Sequence, residues 1–433
     1  MSDISAPVLR PRSLVSETIR FYGMWIVVAV VLLALPQVFP SVGALTTLSL
    51  MGISIIFALS YNILLGQTGM LSFGHAVYYG FGGFFAIHGM NLLAATKAWL
   101  PLPLVPLVGG LAGLVFAMLL GWVSTQRSGT AFAMISLGLA ELVASSALIL
   151  RSFFGGEAGI TTNRTKLLRL FDWSFGPQID IYYLVTGWTL LAMIAMYALT
   201  RTPLGRMCNA VRDNPERVQF VGYDPHMIRY IAFCFAGFFA GIAGALSAIN
   251  FEIANSAYFS ATQSGTVLFA AYIGGIGFFI GPIVGAIFVT FLSLTLSDLT
   301  AVWQLYFGLI FIAVVTFAPG GIAGLLMRHR PVLRAGEMGR VLRAYLVVAL
   351  PTAATLAGLV LGIEIVVRHT VSATDDPVMR PFGLALDASK PLVWLLAIVL
   401  LVGGFIVARW SWTTVAQAWD EAMTAARAKG FVA

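Results

Sequence analysis

The residues of this chain that could do chemistry lie in three places. The first is 62–83, NILLGQTGMLSFGHAVYYGFGG, where Gly66, Gly69 and Gly74 and the polar side chains of Gln67, Thr68, Ser72 and His75 interrupt an apolar region. Glycine releases the backbone from helical geometry. Freed N–H and C=O groups beside amides and hydroxyls bind polar solutes at the broken helices of transporters. The stretch fits such a site, and it also fits a short turn between two helices. The second is Glu141, near the middle of an apolar run. An ionisable side chain there is costly, so it either pairs with a neighbouring helix or lines a conduit. Glu364 carries less weight, because it can approach Arg368. The third is 274–285, GGIGFFIGPIVG, with five glycines and a proline. Led by Gly274 and Gly275, it reads either as a pore-lining elbow or as close helix packing by small residues.

No enzyme chemistry is legible. There is no phosphate loop of the Gly-x-x-x-x-Gly-Lys-Ser/Thr kind and no Gly-x-Ser-x-Gly elbow. The five histidines, His75, His88, His226, His329 and His369, are scattered, and Cys208 and Cys234 form no disulfide framework or metal motif. The chain is therefore expected to bind no metal or cofactor of its own and not to be an enzyme. Any energy-driven work would draw its energy from a partner.

The elements that position these residues follow from composition. Of 433 residues 59% are hydrophobic and 10% charged, with a mean hydropathy of +0.91. Soluble domains carry about 25% charged residues. The fold class is all-α, a polytopic helical membrane protein. Twelve apolar runs are long enough to be considered as spans: 21–38, 44–65, 75–93, 102–123, 130–150, 181–199, 228–249, 263–276, 279–297, 302–317, 344–367 and 391–408. The eighth is short and could form a broken or re-entrant pair with the ninth. With the N-terminus inside and strict alternation, 17 of the 25 Lys and Arg fall inside. That bias predicts cytoplasmic termini and explains the net charge of +7 without nucleic acid.

The largest soluble-looking stretch is 201–230, with five arginines. Thr202 and Pro203 predict one helix start; Asp213 or Asn214, with Pro215 and Glu216, predicts another. Gly222 ends the second, and Asp224 and Pro225 turn the chain back. Two short surface helices would form a charged knob able to seat in a groove of a soluble partner. The loop 151–180 carries Arg151, Arg164, Lys166 and Arg169, and reads either as solvated or as a docking surface for an acidic partner outside the membrane. The expected organisation is an N-terminal segment 1–20, a membrane core 21–327 with the knob at 201–226, a basic linker 328–343, two further spans in 344–409, and a tail 410–433. In the tail Trp412, Val415, Ala416, Trp419, Ala422 and Met423 fall at helical spacing, which predicts a helix lying on the inner membrane surface.

Five motifs together resemble the permease subunit of branched-chain amino-acid ABC transporters, in particular the longer of its two permease types. They are GQTGMLSFGHAVYYGFGG (66–83), FAMISLGLAEL (132–142), TPLGRMCNAVRDNPERVQFVGYDP (202–225), AFCFAGFFAGIAGALSA (232–248) and IGGIGFFIGPIVGAIF (273–288). The resemblance covers roughly residues 25–327 and implies a ten-helix core, which the last two spans exceed. It implies two cytoplasmic ATPase subunits holding ATP and Mg, a second and different permease, a periplasmic solute-binding protein, and a bacterial inner membrane. The implied solute is Leu, Ile or Val; relatives carrying urea, short amides or aromatic acids, and a stand-alone secondary transporter, are the other readings. By carry-over, Arg206, Arg212, Asp213, Asn214, Glu216 and Gly222 are the segment that meets the ATPase, although the family's usual Glu-Ala-Ala form is degenerate here. The assignments of Gln67, Thr68, Gly69, Ser72, Gly74, His75, Glu141, Gly274 and Gly275 to the translocation pathway rest on the residues themselves.

Overall fold

A computed structural model describes residues 14–96, 100–166, 175–370, 378–379 and 384–431, with side chains from residue 23 onward except that of Val378. The chain is almost wholly helical: α1 (Leu14–Val38), α2 (Val42–Asn62), α3 (Ala76–Thr96), α4 (Val105–Ser124), α5 (Thr130–Ile149), the single turn α6 (Arg151–Phe154), α7 (Gln178–Arg201), α8 (Pro203–Asp213), α9 (Pro215–Phe220), α10 (Pro225–Phe251), α11 (Ala261–Gly274), α12 (Ile280–Leu299), α13 (Trp303–Phe317), α14 (Gly321–Ala335), α15 (Met338–Thr370), α16 (Pro391–Ile398) and α17 (Gly404–Ala428). Two-residue strands β1 (Ile160–Thr161) and β2 (Ile253–Ala254) pair antiparallel, as do β3 (Val378–Met379) and β4 (Leu386–Asp387).

Among the described residues eight helices are long and apolar enough to cross a membrane, and a ninth if α13 and α14, bent by 40°, make one span. All twelve apolar runs are helical, but not all reach that length and hydropathy. Helix α11 has 14 residues and α13 has 15. The tyrosines, glycines, His88 and Asn91 of α3 dilute its hydropathy. The eighth and ninth runs are separate helices, α11 and α12, divided at Gly275, whose φ is +109°.

The chain divides into two compact units, one ending at Gly324 and one beginning at Leu325. In the first, α10 is central: 78% of its most apolar window is buried. It lies against α3 and α4 through glycines. A Cβ on Gly241 would stand 2.2 Å from the carbonyl oxygen of Gly109, and one on Gly244 would stand 1.8 Å from that of Tyr79. Helix backbones that touch in this way gain dispersion contacts over their whole length, which is how membrane helices associate where hydrophobic expulsion is absent. Toward the β1–β2 end, Phe81, Phe84, Phe154 and Phe259 interlock, with Phe84 and Phe259 stacked at 5.4 Å.

In the second unit α15 runs antiparallel to a continuous helix made of α16, a π-helical turn (Val399–Gly403) and α17. Gly358 and Gly404 set the crossing, since a Cβ at Gly358 would meet the Leu401 nitrogen at 2.3 Å. Two expectations are corrected here. The basic stretch 328–343 is no linker: α14 continues to Ala335 and α15 begins at Met338, with one turn between them. The tail is not a separate surface helix. Val415 and Ala422 are buried against Val332, Val341, Ala344 and Val348, with Trp419 and Met423 packed beside them. Protein covers the Val415 and Ala422 part of the apolar stripe, while Ala416 is exposed and Trp410 and Trp412 are exposed at 75% and 60%.

Candidate functional site

Helix α2 does not stop cleanly. It widens into a π-helical turn (Ile63–Gln67), then ends on Gly69 at φ +71°. The Gly69 and Met70 amides donate to the carbonyls of Leu65 and Leu64, at 3.1 and 3.0 Å, the closing bonds of a glycine-terminated helix. From 70 to 75 the chain is unwound and turns back into the protein, with Met70, Ser72, Gly74 and His75 all buried. Its backbone is tied to three helices. Tyr61 Oη donates to the Ser72 carbonyl at 3.0 Å. The Phe73 amide donates to Ser136 Oγ of α5 at 3.0 Å. The Ala76 amide donates to Ser264 Oγ of α11 at 3.1 Å.

The His75 ring lies parallel to Phe57 at 5.4 Å and edge-on to Tyr61. Ser60 Oγ donates its one proton to the Phe57 carbonyl at 2.7 Å and lies 2.9 Å from His75 Nε2. Nε2 therefore carries the ring proton and donates to Ser60, which leaves Nδ1 as an acceptor. Nδ1 has no partner among the described residues, and neither do the buried Asn62 Oδ1, Gln67 Oε1 and Ser72 Oγ. A buried polar atom without a hydrogen bond is costly, and such atoms point to an absent water, ion or ligand. Three acceptors and one hydroxyl without partners thus fall within the 14 residues from Asn62 to His75, and each can accept from an N–H group.

Helix α8 begins at Thr202, whose Oγ1 accepts from the Gly205 amide at 3.3 Å, and α9 begins at Asn214, whose Oδ1 accepts from the Arg217 amide at 2.9 Å. Gly222 follows at φ +90°, and Asp224 caps α10 through the His226 amide at 2.9 Å. The knob forms as its capping residues predict. Gly205, Cys208 and Val211 face inward, while Arg206, Asp213, Asn214 and Glu216 are exposed. Burial pushes the Cys208 thiol up to about 11.

Arg212 joins the knob to the unwound stretch. Its guanidinium donates to the Gly66 carbonyl and to Asp213 Oδ1, the latter at 3.0 Å. Its side chain lies so close to Gly69 that a Cβ there would meet Arg212 Cγ at 3.0 Å. The glycine elbow reaches the same place, for a Cβ on Gly66 would stand 2.7 Å from the Ile276 carbonyl oxygen. At the elbow itself a Cβ on Gly274 would stand 1.9 Å from the Gly281 carbonyl oxygen, and one on Gly275 would stand 2.2 Å from that of Gly320. Close packing is the geometry found there.

The structure does not bring Glu141 to this cluster. It lies on an exposed flank of α5 with Met134, Gly138 and Ser145, on a different face from the buried Ser136. Of the cations in the loop between α5 and α7, Arg164 is already committed. Its guanidinium donates to the carbonyls of Phe175, Gly176, Ile249 and Asn250, at 2.8, 3.0, 3.3 and 3.1 Å, and lies 3.9 Å from Glu252. It holds the loop in shape; Arg151 and Lys166 are exposed, and Arg169 lies outside the described residues.

Sequence reasoning missed two sets of residues. Ser60, Tyr61, Ser136 and Ser264 hold the unwound stretch, and nothing in their spacing marks them as partners. Phe220, Val221 and Tyr223 form an apolar tip on the knob, exposed at 90%, 68% and 50%; apolar residues inside a charged, turn-rich stretch were the available signal.

Residues 43–319 match the family described as branched-chain amino acid transport system / permease component. The chain is 27% identical over 330 residues to the high-affinity branched-chain amino acid transport system permease protein LivM of Escherichia coli, covering 70% of this chain and 76% of that protein. It is 25% identical over 247 residues to LivH of the same organism, a permease protein of the same description, covering 54% and 78%. It is 26% identical over 204 residues to the guanosine ABC transporter permease protein NupQ of Bacillus subtilis, covering 46% and 63%. No solved structure matches.

Proposed function

This chain belongs to the family of permease components of branched-chain amino acid transport systems, and from that membership we propose that it is one membrane subunit of an ATP-driven importer of branched-chain amino acids. Its partners are two cytoplasmic ATPase subunits, a second and different permease, and a periplasmic binding protein. ATP and Mg belong to the ATPases. The chain lies in the bacterial inner membrane with both termini cytoplasmic, as the distribution of its Lys and Arg supports.

The observation that carries this reading is the contact of Arg212 with Gly66 and Gly69. A segment exposed on two capped helices touches the end of an apolar helix that unwinds into buried polar atoms. In the proposed mechanism the ATPase grips the knob at Arg206, Asp213, Asn214, Glu216 and the Phe220 tip, with Gly222 shaping its exit. Exposed aromatic side chains of this kind serve as anchors in protein interfaces. Closure of the ATPases then moves α8, and Arg212 carries the displacement to the π-helical turn as a rigid-body shift. The acceptors at Asn62, Gln67, Ser72 and His75 receive the solute's ammonium group, with Thr68, Gly69 and Gly74 giving the turn its shape. Gly274 and Gly275 let the elbow follow, and Glu141 faces the passage shared with the second permease. The binding protein docks on the loop carrying Arg151 and Lys166, which Arg164 keeps folded.

The test is transport by the reconstituted complex with Arg212→Ala and Glu216→Ala together. Assembly and ATP hydrolysis should persist while uptake of Leu, Ile and Val is abolished. Normal uptake by this double variant would overturn the assignment of the knob.

A further inference from the structure

The unit beginning at Leu325 lies beyond the residues that match the family, so its role must be read from its own surface. Where α15 starts, a cavity of about 500 Å³ opens between α15 and α17. The charges around it largely answer one another. Glu337 lies 3.7 Å from Arg340 and 3.3 Å from Lys429, and Arg340 reaches Glu421 at 3.4 Å. Arg343, which also lines the cavity, is exposed and has no acidic partner among the described residues. Thr414, a hydroxyl-bearing residue, lines it from α17. A Cβ on Gly339, at the mouth, would meet nothing within 4 Å.

Beyond Arg343 the wall changes character. Val347 lines the cavity, and Leu346, Val347 and Leu350 of α15 are exposed at 66%, 56% and 80%. The cavity thus sits where the hairpin passes from charged to apolar surface. Residues 325–345 and 409–431, which form this end, hold eight Arg and Lys against three acidic side chains. We infer that the cavity holds the headgroup of an anionic phospholipid, its phosphate on Arg343 and Thr414 and its acyl chains along Val347 and Leu350. Basic pockets between membrane helices take anionic headgroups by this combination of charge and apolar wall. That the lipid comes from the inner leaflet rests on the proposed orientation; the site itself does not depend on the transport reading.

Native mass spectrometry of the delipidated full chain, offered equal amounts of phosphatidylglycerol and phosphatidylcholine, tests this directly. The chain should retain phosphatidylglycerol in preference. Arg343→Gln should lower that retention about fivefold, the weight of one interfacial cation. Gly339→Leu places an apolar side chain at the mouth of the cavity without changing charge and replaces glycine by a better helix former, so it should lower retention while the protein stays folded. Arg409→Gln removes an exposed cation outside the cavity and should change nothing. Equal retention of the two lipids, or unchanged retention in both Arg343→Gln and Gly339→Leu, overturns the inference. Displacement of phosphatidylglycerol by an equal concentration of glycerol phosphate also overturns it, by assigning the cavity to a small soluble phosphate.

Discussion

Arg212 contributes one guanidinium to two environments, the charged face of α8 and the closing turn of α2. Gly69 makes that approach possible, so Gly69→Ala is the sharper test of the contact. Its φ of +71° lies where a side chain costs about 1–2 kcal/mol, and the new Cβ would crowd Arg212 Cγ. The unfolding midpoint should fall by a few degrees and uptake should slow; wild-type uptake would show the contact to be idle. Glu141→Gln keeps shape and removes charge. Glu141 is exposed and has no hydrogen-bond partner among the described residues, so the stability of the isolated chain should not change. Uptake should drop about tenfold if the carboxylate meets solute or partner, the weight of one charged hydrogen bond. Cys208 supplies a pH prediction. Its buried thiol titrates near 11 rather than at its ordinary 9. The fold prefers the neutral thiol, so this contribution holds below pH 9 and is lost as pH climbs toward 11. Alkylation at about pH 8, below the ordinary thiol range, should be slow in the folded protein and fast in dodecyl sulfate; equal rates would contradict the burial. At this scale the sequence showed which residues were unusual but not whom they meet. Gln67 and His75 stood out by type, whereas Ser136 and Ser264, which hold the stretch from 63 and 188 residues away, did not.

Helices differ in which face is already used. Helix α10 spends its glycines on α3 and α4, so Gly241→Leu would drive a side chain into the Gly109 backbone. The expected result is a protein that does not purify as a single species, read by size-exclusion chromatography. Gly138 on α5 is the opposite case, with nothing within 4 Å of its Cβ position. Gly138→Trp should leave the isolated chain folded yet block assembly with the second permease, since it projects from the Glu141 flank. Copurification at wild-type level would return that flank to lipid. Helices α8 and α9 were legible because Thr202, Asn214 and Asp224 are capping residues before prolines, and capping is local chemistry. The tail was misread because a helical stripe of Val415, Trp419 and Ala422 declares an apolar face without declaring what covers it. Both lipid and α15 satisfy the same periodicity.

Over the whole molecule, the apolar runs made the fold class legible, and the basic stretch from Arg328 marked a change of composition close to the boundary between the units. That boundary, after Gly324, falls inside α14 rather than in a linker, because the helix continues through it. The core of the first unit is built from residues before that boundary. A chain stopped after Ala335 should therefore still insert and give a monodisperse first unit, measured by size-exclusion chromatography in detergent; aggregation would show that the second unit is needed for folding. The glycine contacts of α3, α4 and α10 carry a consequence for anyone wishing to change what this protein carries. Backbone set against backbone leaves no side chain to exchange, so variation there yields only casualties. On the proposed reading, a library meant to alter solute preference would leave those backbone contacts alone and work on the half-buried Gln67 and the open flank of α5, where a Cβ on Gly138 meets nothing within 4 Å.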